Sequence, residues 1–249
     1  MSIVNIAAYK FVPLHDLAAL RVSILEQAQA QLKGTVLLAY EGINLFLAGQ
    51  AQPIDAFLSW LRADPRLVDI EAKTSYSEVM PFRKLRVKIK REIIRMDCPT
   101  ILPYKGRAPT VDAVTLARWL AQGADDTGRE LILLDTRNAF EVDAGTFEGA
   151  LNWGISRFTE FPAAVQAHCA ELMGKAVVSF CTGGIRCEKA ALYMANCGIE
   201  NVYQLDGGIL RYFEIVGGAG FKGNCFVFDD RIEVDPTLAP RPAAVAPQA

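Results

Sequence analysis

The chain has 249 residues, 51% of them hydrophobic and 22% charged, with a formal net charge of -2. This length and apolar content suit one large or two small cores, and two domains are expected. No uncharged apolar run is long enough to span a bilayer, so no membrane association is expected. The segment from Met1 to Phe11 reaches Lys10 without a long apolar stretch and does not read as a signal peptide, which makes a cytoplasmic location the expectation.

In chain order, Ile3 to Phe11 carries a strand pattern. Pro13 follows, then a helical stretch from Leu14 to Lys33 with leucines and alanines at three-to-four spacing, which Gly34 is expected to stop. Thr35 to Ala39 and Ile43 to Ala48 read as strands joined through Tyr40-Glu41-Gly42, where a turn role suffices for Glu41 and Asn44. A helix from Ile54 to Arg62 and a strand near Leu67 to Ala72 complete a βαββαβ order, the ferredoxin-like arrangement.

Next come Leu85, Val87 and Ile89, alternating with Arg86, Lys88 and Lys90. On a strand of period two the aliphatics face a core and the cations line the other side. With Arg83, Lys84 and Arg91 this makes six cations in a nine-residue stretch of a chain at net charge -2. Such a ladder opposes its own folding, so a polyanionic partner and an ordinary solvated strand face are both open readings.

Asp97 to Pro109, with Pro99, Pro103 and Gly106, reads as a linker leading into a helix from Asp112 to Ala121. Buried strands are then expected at Leu131 to Leu134, Ala176 to Phe180 and Val202 to Leu205, with a further short strand and turn at Glu148 to Trp153. Helices are expected at Phe161 to Leu172, Arg186 to Asn196 and Ile209 to Ile215. Continuous apolar strands alternating with helices predict a doubly wound parallel sheet, α/β beside the α+β first domain. The ligand site of such a sheet lies at the carboxyl ends of its strands, where Asp135, Cys181 and Asp206 fall. The resulting division is 1–96, a linker and leading helix at 97–126, 127–221, an ordered segment at 222–235 and a disordered Pro/Ala tail at 236–249.

The chemistry concentrates at Cys181-Thr182-Gly183-Gly184-Ile185-Arg186-Cys187, where a strand ends and a helix begins. A short Gly-rich loop turns backbone N–H groups toward one sulfur, the helix adds the positive end of its dipole, and the thiolate is favoured. Between Cys181 and Arg186 the loop is one residue shorter than the phosphate-cradling loop of Cys-dependent phosphatases, which favours a single sulfur over a tetrahedral oxyanion. Cys181 is the candidate nucleophile or persulfide carrier, and that role requires a sulfur open to solvent. The competing reading is a buried structural cysteine before a turn.

Arg186 is expected to brace the loop and supply positive potential, or to pair with a loop carbonyl or Glu188. Thr182, Gly183 and Gly184 support the loop. Cys187 is either a resolving thiol or a small packed residue. Cys197 and Asp135 read as structural, and so does Asp206. Cys98, Cys169 and Cys225 are scattered too widely to form a disulfide scaffold with the rest. His15 and His168 sit near no cysteine pair at a ligand spacing, so no metal is expected. Trp153 and Phe158 suit either base stacking or partial core burial, and Phe226 and Phe228 an anchoring role.

Asp135-Thr136-Arg137, Gly149 to Asn152, the Cys181 loop and Asp206-Gly207-Gly208-Ile209 resemble, in order and spacing, the elements of a rhodanese domain over Thr127 to Phe221. With Tyr40-Glu41-Gly42-Ile43-Asn44, the basic strand, Cys181 to Lys189 and Cys225 to Arg231, nearly the whole chain resembles the rhodanese-like tRNA uridine hydroxylases, the TrhO family. That resemblance implies an acylphosphatase-like N-terminal domain joined to a rhodanese domain. It also implies 5-hydroxylation of the wobble uridine, uridine 34, with molecular oxygen as co-substrate, a tRNA partner and a persulfide on Cys181. A tRNA partner would explain the cations, as clustered Lys and Arg bind an RNA backbone in a salt-dependent way. Two features depart from the pattern. The C-terminus lacks the cysteine-rich tail of some relatives, and the first domain lacks the arginine-bearing loop of true acylphosphatases. A sulfurtransferase and a non-catalytic RNA-binding adaptor are the competing functions.

Overall fold

Alternation along β1 (Ile3–Phe11) sends Ile6 and Ala8 into a core and Ala7, Tyr9 and Phe11 to the opposite face. The computed structural model describes residues 2–28 and 30–241. After β1 come α1 (Leu17–Ala28), β2 (Lys33–Ala39), β3 (Gly42–Gly49), α2 (Ala51–Arg62), β4 (Ala72–Ser77) and β5 (Leu85–Ile89). The five strands form one sheet in the order β4-β1-β3-β2-β5. β1 runs antiparallel to β3 and β4, and β5 runs parallel to β2. Leu20 and Ile24 of α1 and Ile54, Phe57 and Leu61 of α2 share a core with Val36, Leu38, Ile43, Leu45 and Leu47 of the sheet. The ferredoxin-like order is present, with β5 added at one edge.

Three local expectations are corrected. The first helix stops at Ala28 and Gly34 lies within β2, because Ala30 adopts a left-handed φ of 59° that no α-helix continues. Leu67 and Ile70 belong to consecutive turns, with Leu67 N–H donating to Asp64 O and Ile70 N–H to Leu67 O, and Arg62 caps Ile70 O. The strand therefore starts only at Ala72. On β5, Val87 is buried but Ile89 is exposed, since an edge strand paired only to β2 outruns the cover of the core.

Glu41 and Asn44 do more than flank a turn. Both are buried, and Glu41 Oε1 accepts the Ile93 N–H at 2.8 Å while Asn44 Nδ2 donates to Ile93 O at 3.2 Å. Two side chains thus serve one backbone residue as a partner strand would, satisfying polar groups that burial would otherwise penalise.

The chain divides into two compact units, Met1–Ile93 with Phe226–Ala249, and Ile94–Cys225. The stretch 97–126 expected as linker and leading helix lies inside the second unit, and the final segment joins the first from Phe226. In that segment Arg231 pairs with Asp229 and donates to Ser75 on β4, and Phe228 packs against Phe46 on β3. Order extends past Pro236: Asp235 accepts the Thr237 N–H and hydroxyl, and Glu233–Val234 pairs with Pro240–Arg241. The rest of the predicted tail, 242–249, lies outside the described residues.

The second unit contains β6 (Thr110–Val111), α3 (Ala113–Gln122), β7 (Leu131–Asp135), α4 (Ala139–Val142), β8 (Gly145–Phe147) and α5 (Phe161–Leu172). It continues through β9 (Ala176–Phe180), α6 (Ile185–Asn196), β10 (Val202–Leu205), α7 (Gly208–Val216) and β11 (Phe221–Gly223). Its parallel sheet has the order β6-β10-β9-β7. The short strand expected at Glu148 to Trp153 is displaced: β8 precedes it and pairs antiparallel with β11, leaving Leu151 only an isolated bridge to Leu134. Among the described residues no helix is long and apolar enough to cross a membrane.

Candidate active site

β9 is buried along its whole length between β7 and β10, so it delivers Cys181 to the carboxyl edge of the parallel sheet. Gly184 takes a left-handed φ of 94° and turns its N–H back to donate to Cys181 Sγ at 3.2 Å. The loop is walled on the other side by Gly208, where a Cβ would lie 2.4 Å from Cys181 O and 2.7 Å from Gly184 N. Without that atom, Ile209 and Leu210 at the start of α7 donate their N–H groups to Cys181 O and Thr182 O, each at 3.0 Å. Asp206 precedes this wall as a half-buried residue whose carboxylate lies 3.4 Å from Arg107.

Arg186 lies in the first turn of α6 and forks onto Glu141, which the sequence places in a helical turn after Asp135-Thr136-Arg137 without linking it to this loop. Its Nη1 donates to Glu141 Oε2 at 2.6 Å and its Nη2 to Oε1 at 2.7 Å, both side chains being at most 5% exposed. Bracing of the loop with a supply of positive potential was the expectation, and a pairing with a loop carbonyl or Glu188 the alternative. Glu188 is engaged by Arg107 Nε, at 2.9 and 3.1 Å, and by Gln204 Nε2 at 3.0 Å. The bidentate form suits two charges that have left water together. Asn138 N–H also donates to Glu141 Oε2, the reciprocal half of a capping box at the start of α4. That Asn-x-x-Glu spacing was the one sequence signal for Glu141.

Asp135-Thr136-Arg137 holds α4 in place. The fully buried Arg137 clamps Asp135 with two nitrogens and donates to Glu141 O and Gly145 O. Asp135 also accepts from Arg137 N–H and the Thr146 hydroxyl. All of its contacts are structural, and the chain of contacts runs from Asp135 through Arg137 and α4 to Glu141, Arg186 and Cys181.

Burial by itself raises the Cys181 pKa. The Cys187 S–H, the Arg186 charge and the N–H groups of Arg186 and Gly184 outweigh it and hold the thiol at about 5. Burial disfavours the charged Arg186, yet Glu141 and the Cys181 sulfur raise its pKa. Burial pushes the Cys187 thiol well up, and the Cys181 sulfur beside it adds to the effect. Hydrogen counting agrees. The Thr136 hydroxyl is spent on Phe180 O and the Ser179 hydroxyl on Tyr203 O, so neither has a hydrogen left for Cys187. Thr136 Oγ1, 3.8 Å from Cys187 Sγ, can only accept. Cys187, with no donor among these groups to stabilise its anion, is therefore the protonated thiol and Cys181 the anion. Burial pushes the Cys225 thiol up to about 12, against the lowering effect of the Arg137 charge and the Thr182 hydrogen bond.

One requirement set by the sequence is not met. Cys181 is 1% exposed, and of the loop residues 182–186 only Gly183 is partly exposed. The loop closes because its carbonyls dock onto α7 while its N–H groups point at the sulfur. Thr182 is buried with it.

Other candidates separate clearly. Phe158 is buried, and Trp153 stacks on His168 at 5.3 Å with 13° between the planes while also packing on Phe161, so both serve the core. Cys197, expected in the core, is exposed at the end of α6. Arg83, Lys84, Arg86, Lys88, Lys90 and Arg91 are all exposed, and none forms an ion pair among the described residues. No group of three or more His, Cys, Asp or Glu gathers to hold a metal among those residues.

Residues 3–93 match the model of the UPF0176 acylphosphatase-like domain, and residues 116–214 match the rhodanese-like domain. Among solved structures, the chain is similar to a human single-domain sulfurtransferase at 28% identity, TM-score 0.36, covering 43% of this chain and 97% of that one. Among curated proteins, it is 71% identical over 240 residues to the tRNA uridine(34) hydroxylase of Bordetella petrii, covering 96% of this chain and 95% of that protein. The proteins of the same name from Bordetella pertussis and Delftia acidovorans are 68% and 60% identical, over 96% and 97% of this chain and 99% and 92% of theirs. Likeness of this extent, across both domains in one order, places the chain in the tRNA uridine(34) hydroxylase family.

Proposed function

We propose that the protein hydroxylates uridine 34 of tRNA at carbon 5, with molecular oxygen as co-substrate and Cys181 supplying the reacting sulfur. Near full-length similarity to proteins of that name carries the reaction. The Cys181–Gly184 hydrogen bond and the Arg186 charge support the role of the sulfur.

Addition of the anionic sulfur to carbon 6 of uracil moves an electron pair toward carbon 5, which then takes up oxygen. The outer oxygen atom leaves as water, with two electrons and two protons from a thiol reductant. Loss of the proton on carbon 5 then expels the sulfur from carbon 6 and restores the ring. The closed loop favours a persulfide for this addition. Its outer sulfur, taken once from a sulfane donor such as thiosulfate, which leaves as sulfite, stands about 2 Å beyond Sγ, whereas direct attack by Sγ requires the loop to open. The basic strand serves as the tRNA contact, and the cytoplasm is where that substrate resides.

Nucleoside analysis of tRNA from a strain lacking this protein tests the reading. Loss of 5-hydroxyuridine and its derivatives, restored by the wild-type chain, is expected. An unchanged profile, with thiocyanate formed from thiosulfate and cyanide by the purified protein, would overturn it in favour of sulfur transfer.

A further inference from the structure

The face of the N-terminal sheet turned away from α1 and α2 combines two features that the sequence keeps far apart. Register places Ala7 opposite Phe46, Phe46 opposite Thr35, and Thr35 opposite Arg86. The next row on that face runs Tyr9, Asn44, Leu37, Lys88. Aromatic rings on the two adjacent strands β1 and β3 therefore share a face with the cations of β5. Tyr9 and Phe46 are diagonal neighbours, about 7–8 Å apart at the backbone, and β5 lies two strand spacings, about 10 Å, from β3.

This face is only partly covered. Asn5, Ala48 and Asn44 are buried on it, Asn44 beneath Ile93, while Ala7, Tyr9, Phe11, Thr35, Leu37 and Phe46 around them are half-buried and the Tyr9 ring meets Phe11 edge-on at 6.1 Å. Phe228 meets Phe46 at a 51° tilt with centroids 6.3 Å apart, edging the ring rather than stacking over it, and is itself 46% exposed. Lys73 Nζ lies 4.9 Å from the Tyr9 ring centroid. A nucleobase can replace that ammonium on the ring while the ammonium turns to a phosphate.

We infer that this sheet face binds single-stranded RNA, with unpaired bases stacking on Tyr9 and Phe46 and the backbone following Arg86 and Lys88. A sheet of this βαββαβ order has two central strands whose aromatic side chains can stack successive unpaired bases. Stacking tolerates any base, and the cations complement the phosphates of a strand crossing the sheet. Double-helical RNA hides its base faces and gains nothing from the rings. The inference rests on the proposed tRNA substrate and deepens it: the protein grips an unpaired loop rather than a stem.

Binding to a labelled anticodon stem-loop and to a fully paired duplex, followed by fluorescence anisotropy over a range of salt, tests this on the full chain. Tyr9→Leu and Phe46→Leu keep an apolar side chain of similar reach but lose the aromatic face. Each is expected to weaken stem-loop binding roughly 5- to 150-fold, with the salt slope and duplex binding unchanged. Arg86→Gln and Lys88→Gln should each lower the salt slope by about 0.7. Ultraviolet crosslinking of the stem-loop to the wild-type protein, mapped to peptides containing Tyr9 or Phe46, gives a readout that needs no variant. Tight stem-loop binding by wild type that both leucine variants retain, with crosslinks elsewhere, would overturn the inference and leave the tRNA substrate standing. A wild-type chain that binds neither RNA would overturn both.

Discussion

Cys181→Ser is expected to abolish 5-hydroxyuridine formation on tRNA in vitro, a loss on the order of 10^3-fold or more, as for removal of a reacting nucleophile. Serine fits the same space, and its hydroxyl still accepts the Gly184 N–H, so the loop is retained. What disappears is the anion, because no arrangement of N–H groups and one guanidinium ionises an alkanol near neutral pH. Mass spectrometry of digested tRNA reads the result, and a non-catalytic adaptor would tolerate the change. The neighbouring thiol gives a second ordering. Cys187→Ser, which still donates a hydrogen bond, should keep more activity than Cys187→Ala. A resolving thiol would lose function equally in both.

Glu141→Gln should cost about 3–5 kcal/mol of unfolding free energy, because it leaves the Arg186 charge buried without its carboxylate. Denaturant unfolding of the variant measures this. The effect on the sulfur has the opposite sense. Glu141 offsets part of the positive potential at Cys181, so its neutralisation lowers the thiol pKa further and enlarges the thiolate fraction in mildly acid solution. A variant less stable but with a more acidic Cys181 is the signature of an ion pair acting through Arg186. A purely structural glutamate would lower stability without moving the titration.

Much of this site was legible because it is local. A strand, a cysteine, two glycines and a helix start lie within a dozen residues, and the geometry of such a loop follows from backbone rules. Arg186 was found for the same reason, but its partner was not, since Glu141 lies 45 residues away and only the folded sheet brings α4 to α6. The protonated state of Cys187 likewise depends on where Thr136 and Ser179 spend their hydrogens. The closure of the loop over Cys181 depends on α7, whose docking the Asp206-Gly207-Gly208 turn announces only as a turn.

The same division holds for the first unit. The alternating cations of β5 could be read directly, whereas their alignment with Tyr9 and Phe46 needed the register of four strands. The early end of α1 comes from Ala30 in a left-handed conformation, a position where glycine is usual and alanine gives no signal. Glu41 and Asn44 looked like turn residues because their true partner, the backbone of Ile93, carries no side-chain signature.

Titration of thiolate absorbance near 240 nm, wild type against Cys181→Ser, bears most directly on the buried anion at the end of β9. Folding lowers this pKa, so the thiolate contributes stability that is fully present above the unfolded thiol value of about 8.5. That contribution is lost as pH falls to about 5. The difference spectrum should show one thiolate appearing with a midpoint near pH 5, and the wild-type stability advantage over Cys181→Ser should shrink across the same interval. A Cys181-dependent step at or above about pH 8.5, the range of an ordinary thiol, with no change in relative stability below it, would contradict a loop built to hold an anionic sulfur.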